Sequence, residues 1–307
     1  LGINVIYCYA NGVSLGHDEY IYHRKINNLV NNYRILCDSP LTLAQKGVRM
    51  TVMRHATSVL SFTFITLNLL FWLPFLLLSA LLRFVFPLSA VISLTDVLVD
   101  KVYRIAAGIH GWWIETVLGV RFQIEDKDHV LDNLRANESP LIIANHRSWF
   151  DIFTLQTLIC RNGPMLKFLI KTELLWVPVL GWVCIALNFP RLQRKGDREA
   201  RSRDLEIVQH ASLQLGSSPG ALLLFPEGTR FTDAKRSASN SPYQSLLRPK
   251  PGGFGMIFSS VPDTTTIIDF SLGYQSGDDN CWRCMSGLVD VVHVKVTRAA
   301  KSSIDGL

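Results

Sequence analysis

From Val59 to Leu82 the chain runs through 24 residues without a charged side chain. As a helix this stretch would reach roughly 36 Å, enough for a hydrocarbon core of ~30 Å. Arg54 and His55 flank it on one side and Arg83 on the other. A buried core helix is usually shorter, so the segment is read as a membrane anchor. Pro74 deprives a helix of one backbone hydrogen bond. The spacing therefore predicts either a kinked span or a two-helix re-entrant anchor. Similar numbers of basic residues on both sides leave its orientation open. Residues 90–118 have another pattern, with apolar positions three and four apart and Asp96, Asp100, Lys101 and Arg104 between them. That is an amphipathic helix. Trp112 and Trp113 suit a membrane interface, and equally a packed core.

After Gly119 the period changes. VRFQIE alternates as a strand, and PLIIANH is a short apolar run ending in polar residues, a buried strand feeding a loop. DIFTLQTLI reads as a helix, RSRDLEIVQHASLQL as an amphipathic helix and ALLLF as a second buried strand. TTTIIDFSLGY and LVDVVHVKV are later strands, and the Ser-rich stretch 232–245 is a surface loop. Strands alternating with helices predict an α/β fold: a mixed, largely parallel sheet flanked by helices, preceded by a membrane-anchoring helical segment.

Composition narrows the classes. With 48% hydrophobic and 18% charged residues in 307, the chain is not disordered, and one long uncharged stretch does not make a multi-span transporter. The net charge of +6 points to an anionic partner such as phosphate or a membrane surface. From Arg191 to Arg203 six basic residues face two acidic ones. This is either a solvated helix face or a patch for lipid headgroups, CoA phosphates or an acidic carrier protein. No nucleic acid is expected, because the basic stretch has no interleaved aromatic residues. Six cysteines are too few for a disulfide scaffold, and the single Cys281-x-x-Cys284 pair lacks the second pair of a metal site, so no metal is expected. Residues 1–49 show no periodic apolar pattern. Met50 and Met53 stand just before the apolar segment, and the natural chain is expected to start at one of them, leaving 1–57 an uncertain extension and 58–118 an anchor with its amphipathic helix.

Two blocks carry candidate chemistry. Asn145-His146-Arg147-Ser148-Trp149-Phe150-Asp151 joins the strand PLIIA to the helix DIFTLQ. Histidine takes a proton near neutral pH, and aspartate can fix its tautomer and stabilise the imidazolium. Along one continuous helix the two would lie ~140° apart, so they meet only if the chain turns between them. The competing reading is that Ser148-x-x-Asp151 caps the helix and His146 is idle. The second block, Phe225-Pro226-Glu227-Gly228-Thr229-Arg230, follows ALLLF. Pro226 ends the strand, Gly228 lets the backbone approach a ligand, Glu227 accepts hydrogen bonds from hydroxyls and Arg230 offers a planar fork to a phosphate. An ordinary strand-ending turn is the alternative. Gly216-Ser217-Ser218-Pro219-Gly220 matches GxSxG, but it lies after a helix and before a strand, the reverse of a hydrolase elbow, and reads as a turn.

NHxxxxD followed some 80 residues later by FPEGTR resembles the glycerophospholipid acyltransferase family, typified by 1-acylglycerol-3-phosphate acyltransferases. Between the blocks, Lys171-Thr-Glu173-Leu-Leu-Trp-Val-Pro178 with Gly181-Trp182, and Ile185-Ala-Leu-Asn-Phe189-Pro-Arg191, are similar to two further family stretches. The form ALNFPRLQR resembles a bacterial branch similar to lysocardiolipin acyltransferases. Thr266-Ile267-Ile268-Asp269 departs from the family's fourth block by lacking its proline.

The resemblance covers about residues 119–275 and makes 119–307 an acyltransferase domain. It implies that His146 is the general base and Asp151 its partner. It places Arg191, Glu227, Gly228, Thr229, Arg230 and Lys171 around a glycerol-phosphate acceptor. The implied reaction moves an acyl group from acyl-CoA or acyl-carrier protein, a co-substrate rather than a cofactor, to a lysophospholipid hydroxyl. The bilayer is a partner, and the expected location is a bacterial inner membrane with the domain on its cytoplasmic face. The rival functions are a thioester or lysophospholipid hydrolase using the same pair, and a non-catalytic membrane lipid-binding protein.

Overall fold

A computed structural model describes residues 43–187, 189–192, 206–207, 210–211, 220–274 and 280–303. The chain start before residue 43, most of the basic segment, most of the helix expected over 201–215 and the GxSxG serines lie outside the described residues. Arg54–Leu307 forms one compact unit.

Helix α1, Leu43–Val85, contains the whole apolar segment and continues through Pro74. The proline costs a single N–H bond, and the helix does not split into two at that point. The chain turns instead at residues 86–88, where Leu88 N–H bonds the carbonyl of Phe86, and α2 follows over Ser89–Trp112. The two helices form a hairpin. Arg83 at its tip donates to Thr95 at 2.7 Å and pairs with Asp96 at 2.6 Å, and lower down Asn68 donates to the Ala106 carbonyl at 3.1 Å. The side of α1 that meets the rest of the unit is tied by hydroxyls: Ser58 and Ser61 donate to the carbonyls of Trp282 and Met285, at 2.8 and 2.9 Å. The adjacent tryptophans differ in exposure. Trp113 is buried, stacked on Phe64 and bonded to Ser61, whereas Trp112 is exposed. Large apolar side chains stay exposed along the hairpin, among them Phe71, Phe75, Leu94 and, at its tip, Phe84 at 86%.

A single π turn, Trp113–Val117, ends α2, and Gly119 at φ +70° swings the chain into the sheet. Strands β1 (Arg121–Asp126), β2 (Leu141–Ala144), β3 (Leu166–Phe168), β6 (Ala221–Leu224), β7 (Thr266–Tyr274) and β8 (Val291–Ala300) form a six-stranded sheet in the order β1-β8-β7-β2-β6-β3. Every neighbouring pair is parallel except β7 with β8. Strands β4 (Ile170–Lys171) and β5 (Arg191–Leu192) make a separate parallel pair. The sheet is mixed and largely parallel, with helices packed on it. Its central strands are buried on both faces, which is why LIIA and ALLL read as continuous apolar runs. Helices α3 (Val130–Asn133), α4 (Phe150–Ile159) and α5 (Leu180–Ala186) lie between the strands. α2 lies against α4, with Gly111 so close to Thr157 that a Cβ would come within 2.8 Å of its methyl. The stretch 232–245 is not wholly irregular: Thr232 caps a short exposed helix α6, Asp233–Ala238, by accepting from Lys235 N–H. Helix α7 (Pro251–Ser260), the one-turn α8 (Cys281–Cys284) and two 3-10 turns, Thr172–Trp176 and Lys301–Ser303, are the remaining helical pieces with described bounds.

The topology sets the place of the site. β2 pairs in parallel with β6 on one side and β7 on the other. The carboxyl ends of these three strands therefore open on the same edge, where ligands of open α/β sheets are held.

Candidate active site

Both sequence blocks leave the sheet at that edge. After β2, Asn145 bonds the main chain of Leu272 twice, accepting from its N–H at 2.7 Å and donating to its carbonyl at 2.9 Å. It continues the β2–β7 pairing for one residue by side chain and fixes where the loop begins. The chain then turns, and α4 starts at Phe150 with its N–H on Ser148 Oγ at 3.1 Å. The turn brings His146 Nδ1 within 2.9 Å of Asp151 Oδ2. That oxygen also accepts the N–H groups of Arg147 at 2.7 Å and Ser148 at 2.8 Å. The capping and dyad readings describe one carboxylate doing both. Asp151 is fully buried, and Tyr274, the last residue of β7, donates its hydroxyl to Oδ1 at 2.5 Å. Burial, then the Asp151 charge, pushes the Tyr274 phenol well above its ordinary value, so it stays a donor.

A carboxylate only accepts, so the tautomer of the neutral imidazole follows: Nδ1 carries hydrogen toward Asp151, and Nε2 is left with a lone pair. The ring stacks on Phe225, centroids 4.0 Å apart, and meets Trp149 edge-on at 6.4 Å.

The second block closes around the first. Gly228 N–H returns to the Phe225 carbonyl at 2.9 Å, with Gly228 at φ +67°, a conformation suited to glycine. Glu227 is buried, and both its oxygens are engaged: one accepts His146 N–H at 2.9 Å, the other Leu247 N–H at 2.8 Å. Phe231 N–H in turn donates to the His146 carbonyl at 2.7 Å. Glu227 thus ties three loops together. Arg230 is exposed, its guanidinium 5.2 Å from the Trp149 ring centre. Lys235, which the motifs did not single out, donates to the Thr229 hydroxyl at 2.9 Å and the Arg230 carbonyl at 3.0 Å.

His146, Gly228, Thr229 and Arg230 line one cleft of about 340 Å³. Lys171 and Arg191 are brought together at backbone level, on the paired strands β4 and β5 with Lys171 opposite Leu192, and Ile170 and Glu173 beside them reach the cleft wall. The floor is apolar. Trp149, Ile152, Phe168, Leu174 and Val177 also border a second cavity of about 420 Å³ between α1, α2 and α4. Cys281 reaches this second cavity, and burial pushes its thiol up to about 12, with the Asp151 charge adding to the rise.

Tyr274 is a residue of the candidate site that the sequence motifs did not single out. Its signal was the inward row of β7, Ile268, Phe270, Leu272 and Tyr274, in which the last apolar position carries a hydroxyl.

Residues 126–272 match the family model Acyltransferase. A chloroplastic 1-acyl-sn-glycerol-3-phosphate acyltransferase of Brassica napus is 31% identical over 109 residues, 34% of this chain and 28% of that protein. Lysocardiolipin acyltransferase 1 of Danio rerio is 27% identical over 223 residues, 66% of this chain and 55% of that protein. The chain thus spans about half or less of the length of these curated relatives. Among solved structures, the 1-acyl-sn-glycerophosphate acyltransferase PlsC of Thermotoga maritima superimposes with a TM-score of 0.53 at 17% identity, over 82% of this chain and 88% of that one. It shares the fold.

Proposed function

We propose, on the match of residues 126–272 to the acyltransferase family model, that the chain is an acyltransferase of that family and transfers a fatty acyl group from a thioester, acyl-CoA or acyl-carrier protein, to the free hydroxyl of a lysophospholipid such as 1-acylglycerol-3-phosphate. One observation carries the reading: a His–Asp pair stands at the mouth of a cleft whose apolar floor borders a cavity between helices. A polar reacting end and a long apolar tail need this combination.

The acceptor hydroxyl lies against His146 Nε2. Its oxygen attacks the thioester carbonyl as Nε2 takes the proton, and Asp151 stabilises the imidazolium. The tetrahedral intermediate collapses, the carbon–sulfur bond breaks, and the imidazolium returns the proton to the departing thiolate. Base catalysis of this kind supplies about 10²–10⁴-fold, and alignment of two bound substrates supplies much of the rest. Arg230, exposed at the rim, pairs with the acceptor phosphate, with Gly228, Thr229, Lys171 and Arg191 around it. Glu227 acts by holding the His146 loop to the turn. The exposed apolar hairpin of α1 and α2 seats the domain on a bilayer; we place that domain on the cytoplasmic face of a bacterial inner membrane.

The test uses the purified full chain in mixed micelles with acyl-CoA or acyl-carrier protein and a panel of lysolipids. Diacyl product that depends on lysolipid, and falls at least 10²-fold in His146→Ala, is expected. Release of free fatty acid at a rate indifferent to lysolipid would identify a hydrolase instead. Lipid binding without turnover in the parent would leave a lipid-binding protein.

A further inference from the structure

The helical cavity beyond the cleft is walled by apolar side chains with few polar ones. Two of those polar groups are satisfied by main chain: Tyr103 donates to the Leu166 carbonyl at 3.0 Å and Thr66 to the Phe62 carbonyl at 2.8 Å. His110 is different. It is 3% exposed and lines the cavity, yet neither ring nitrogen reaches a hydrogen-bond partner. Its ring meets Phe153 edge-on at 5.8 Å. Burial pushes the imidazole down to about 4, and the Ile65 carbonyl and Gln156 side chain, which approach the ring without reaching hydrogen-bond geometry, offset this only in part. The ring is therefore neutral at physiological pH, with one N–H donor and one lone-pair acceptor. Buried polar groups in folded proteins are almost always paired, so an unpaired imidazole on a cavity wall marks a place for a polar atom of the occupant.

Helix α4 gives the depth of that place. Trp149, Ile152, Phe153 and Gln156 line the cavity at the spacing of one helix face. Trp149 and Ile152 also line the cleft that holds His146. His110 lies against Phe153, which is two residues, ~3 Å along the helix axis, beyond Asp151. On the acyl-transfer reading, a chain that has its carbonyl beside His146 and crosses the shared wall of Trp149 and Ile152 into this cavity would carry its proximal carbons toward His110.

We infer that His110 recognises a hydroxyl carried on the carbonyl-proximal part of the acyl chain, so that the favoured donors are hydroxyacyl thioesters. The inference rests on the acyl-transfer reading above. A hydroxyl both donates and accepts, and so matches either ring nitrogen of a neutral imidazole, with Gln156 beside it on the same wall. An anionic substituent would meet no cation there among the cavity's lining residues, and a plain methylene would leave the ring unpaired.

The experiment offers the full chain two donors of equal length in direct competition, a 3-hydroxyacyl-CoA and its unsubstituted counterpart, and reads the ratio of kcat/KM. Parallel displacement of a fluorescent fatty acid by 3-hydroxy and plain fatty acids reads the same preference without turnover. The parent is expected to favour the hydroxylated form in both assays. The ratio should fall about tenfold in His110→Leu, the worth of roughly one hydrogen bond, and by less in His110→Gln, which keeps a donor and an acceptor. Transfer with the same ratio in parent and His110→Leu, or a parent that favours the plain donor, would overturn the inference and leave the acyltransferase reading standing. A binding preference lost in His110→Leu without any transfer would do the reverse. Should His110→Leu fail to fold, the parent's own preference and the His110→Gln ratio decide.

Discussion

Tyr274 and Asp151 are 123 residues apart, and the hydroxyl of one ends on the carboxylate of the other at 2.5 Å. Asp151 is thereby held from both sides, by the phenol on Oδ1 and by His146 and two main-chain N–H groups on Oδ2. Tyr274→Phe removes the phenol and leaves Oδ1 buried without it. A hydrogen bond to a charged group is worth ~1.5–3 kcal/mol. The variant should lose stability of that order, and kcat should fall about tenfold. A less stabilised carboxylate also raises the basicity of its histidine, so the acidic limb of the pH–rate profile should move to higher pH. A profile that stays in place, whatever happens to stability, would reduce Tyr274 to a packing residue.

Asp151→Asn keeps the shape but replaces an acceptor-only group with one that can donate. Facing an amide nitrogen, His146 would take the other tautomer and lose its free Nε2 lone pair. We expect kcat to fall by about 10²–10⁴-fold with a smaller change in KM. Steady-state rates near the parent's would leave Asp151 as a cap alone.

Glu227→Gln should act through structure more than through chemistry. Its two oxygens accept from His146 and Leu247, and the amide can serve one N–H while opposing the other. A buried donor left unsatisfied costs ~1–3 kcal/mol. Denaturant titration should show that loss, and both kcat and KM should worsen as the two loops part. A variant as stable as the parent with only KM for the acceptor raised would instead put Glu227 in contact with substrate.

Arg230→Ala should raise the acceptor KM about tenfold or more while kcat changes little, because an exposed guanidinium at the rim binds phosphate without touching the reacting atoms. An effect confined to the thioester KM would move Arg230 to the donor side.

His110 makes stability depend on pH. Burial holds its folded value near 4 against an ordinary 6.5, so between these values the unfolded chain binds more protons than the folded one. The contribution is present in full above the unfolded value and is lost as pH falls through the folded one, ~3 kcal/mol in all. Between pH 7 and pH 4 the parent should therefore lose about that much more stability than His110→Gln. Parallel losses in the two proteins would mean that the imidazole is not held neutral by burial.

The elements of the sheet were legible because each depends on local pattern. LIIA and ALLL are uninterrupted apolar runs, as strands buried on both faces require, and residues 90–112 space their apolar side chains at helical intervals. The chemistry of the two blocks was legible for a similar reason: each follows the end of a strand, and ends of strands are where side chains are free of the ladder. Pro74 left a kinked span and a two-helix anchor both open, and one helix runs through it, because a proline removes only one hydrogen bond. What no local pattern contains is adjacency. Only the order β7-β2-β6 brings residues 146, 227 and 274 to one edge, setting a loop histidine against a buried carboxylate, a turn glutamate across two loops and a strand-end tyrosine on that same carboxylate. His110 sat on the apolar face of its helix in plain view, but whether such a ring is paired in a core or left facing a cavity is decided by what the other helices place around it. Local sequence determines which backbone forms and which side chains leave it; the long-range packing that hides those side chains from water decides which of them meet.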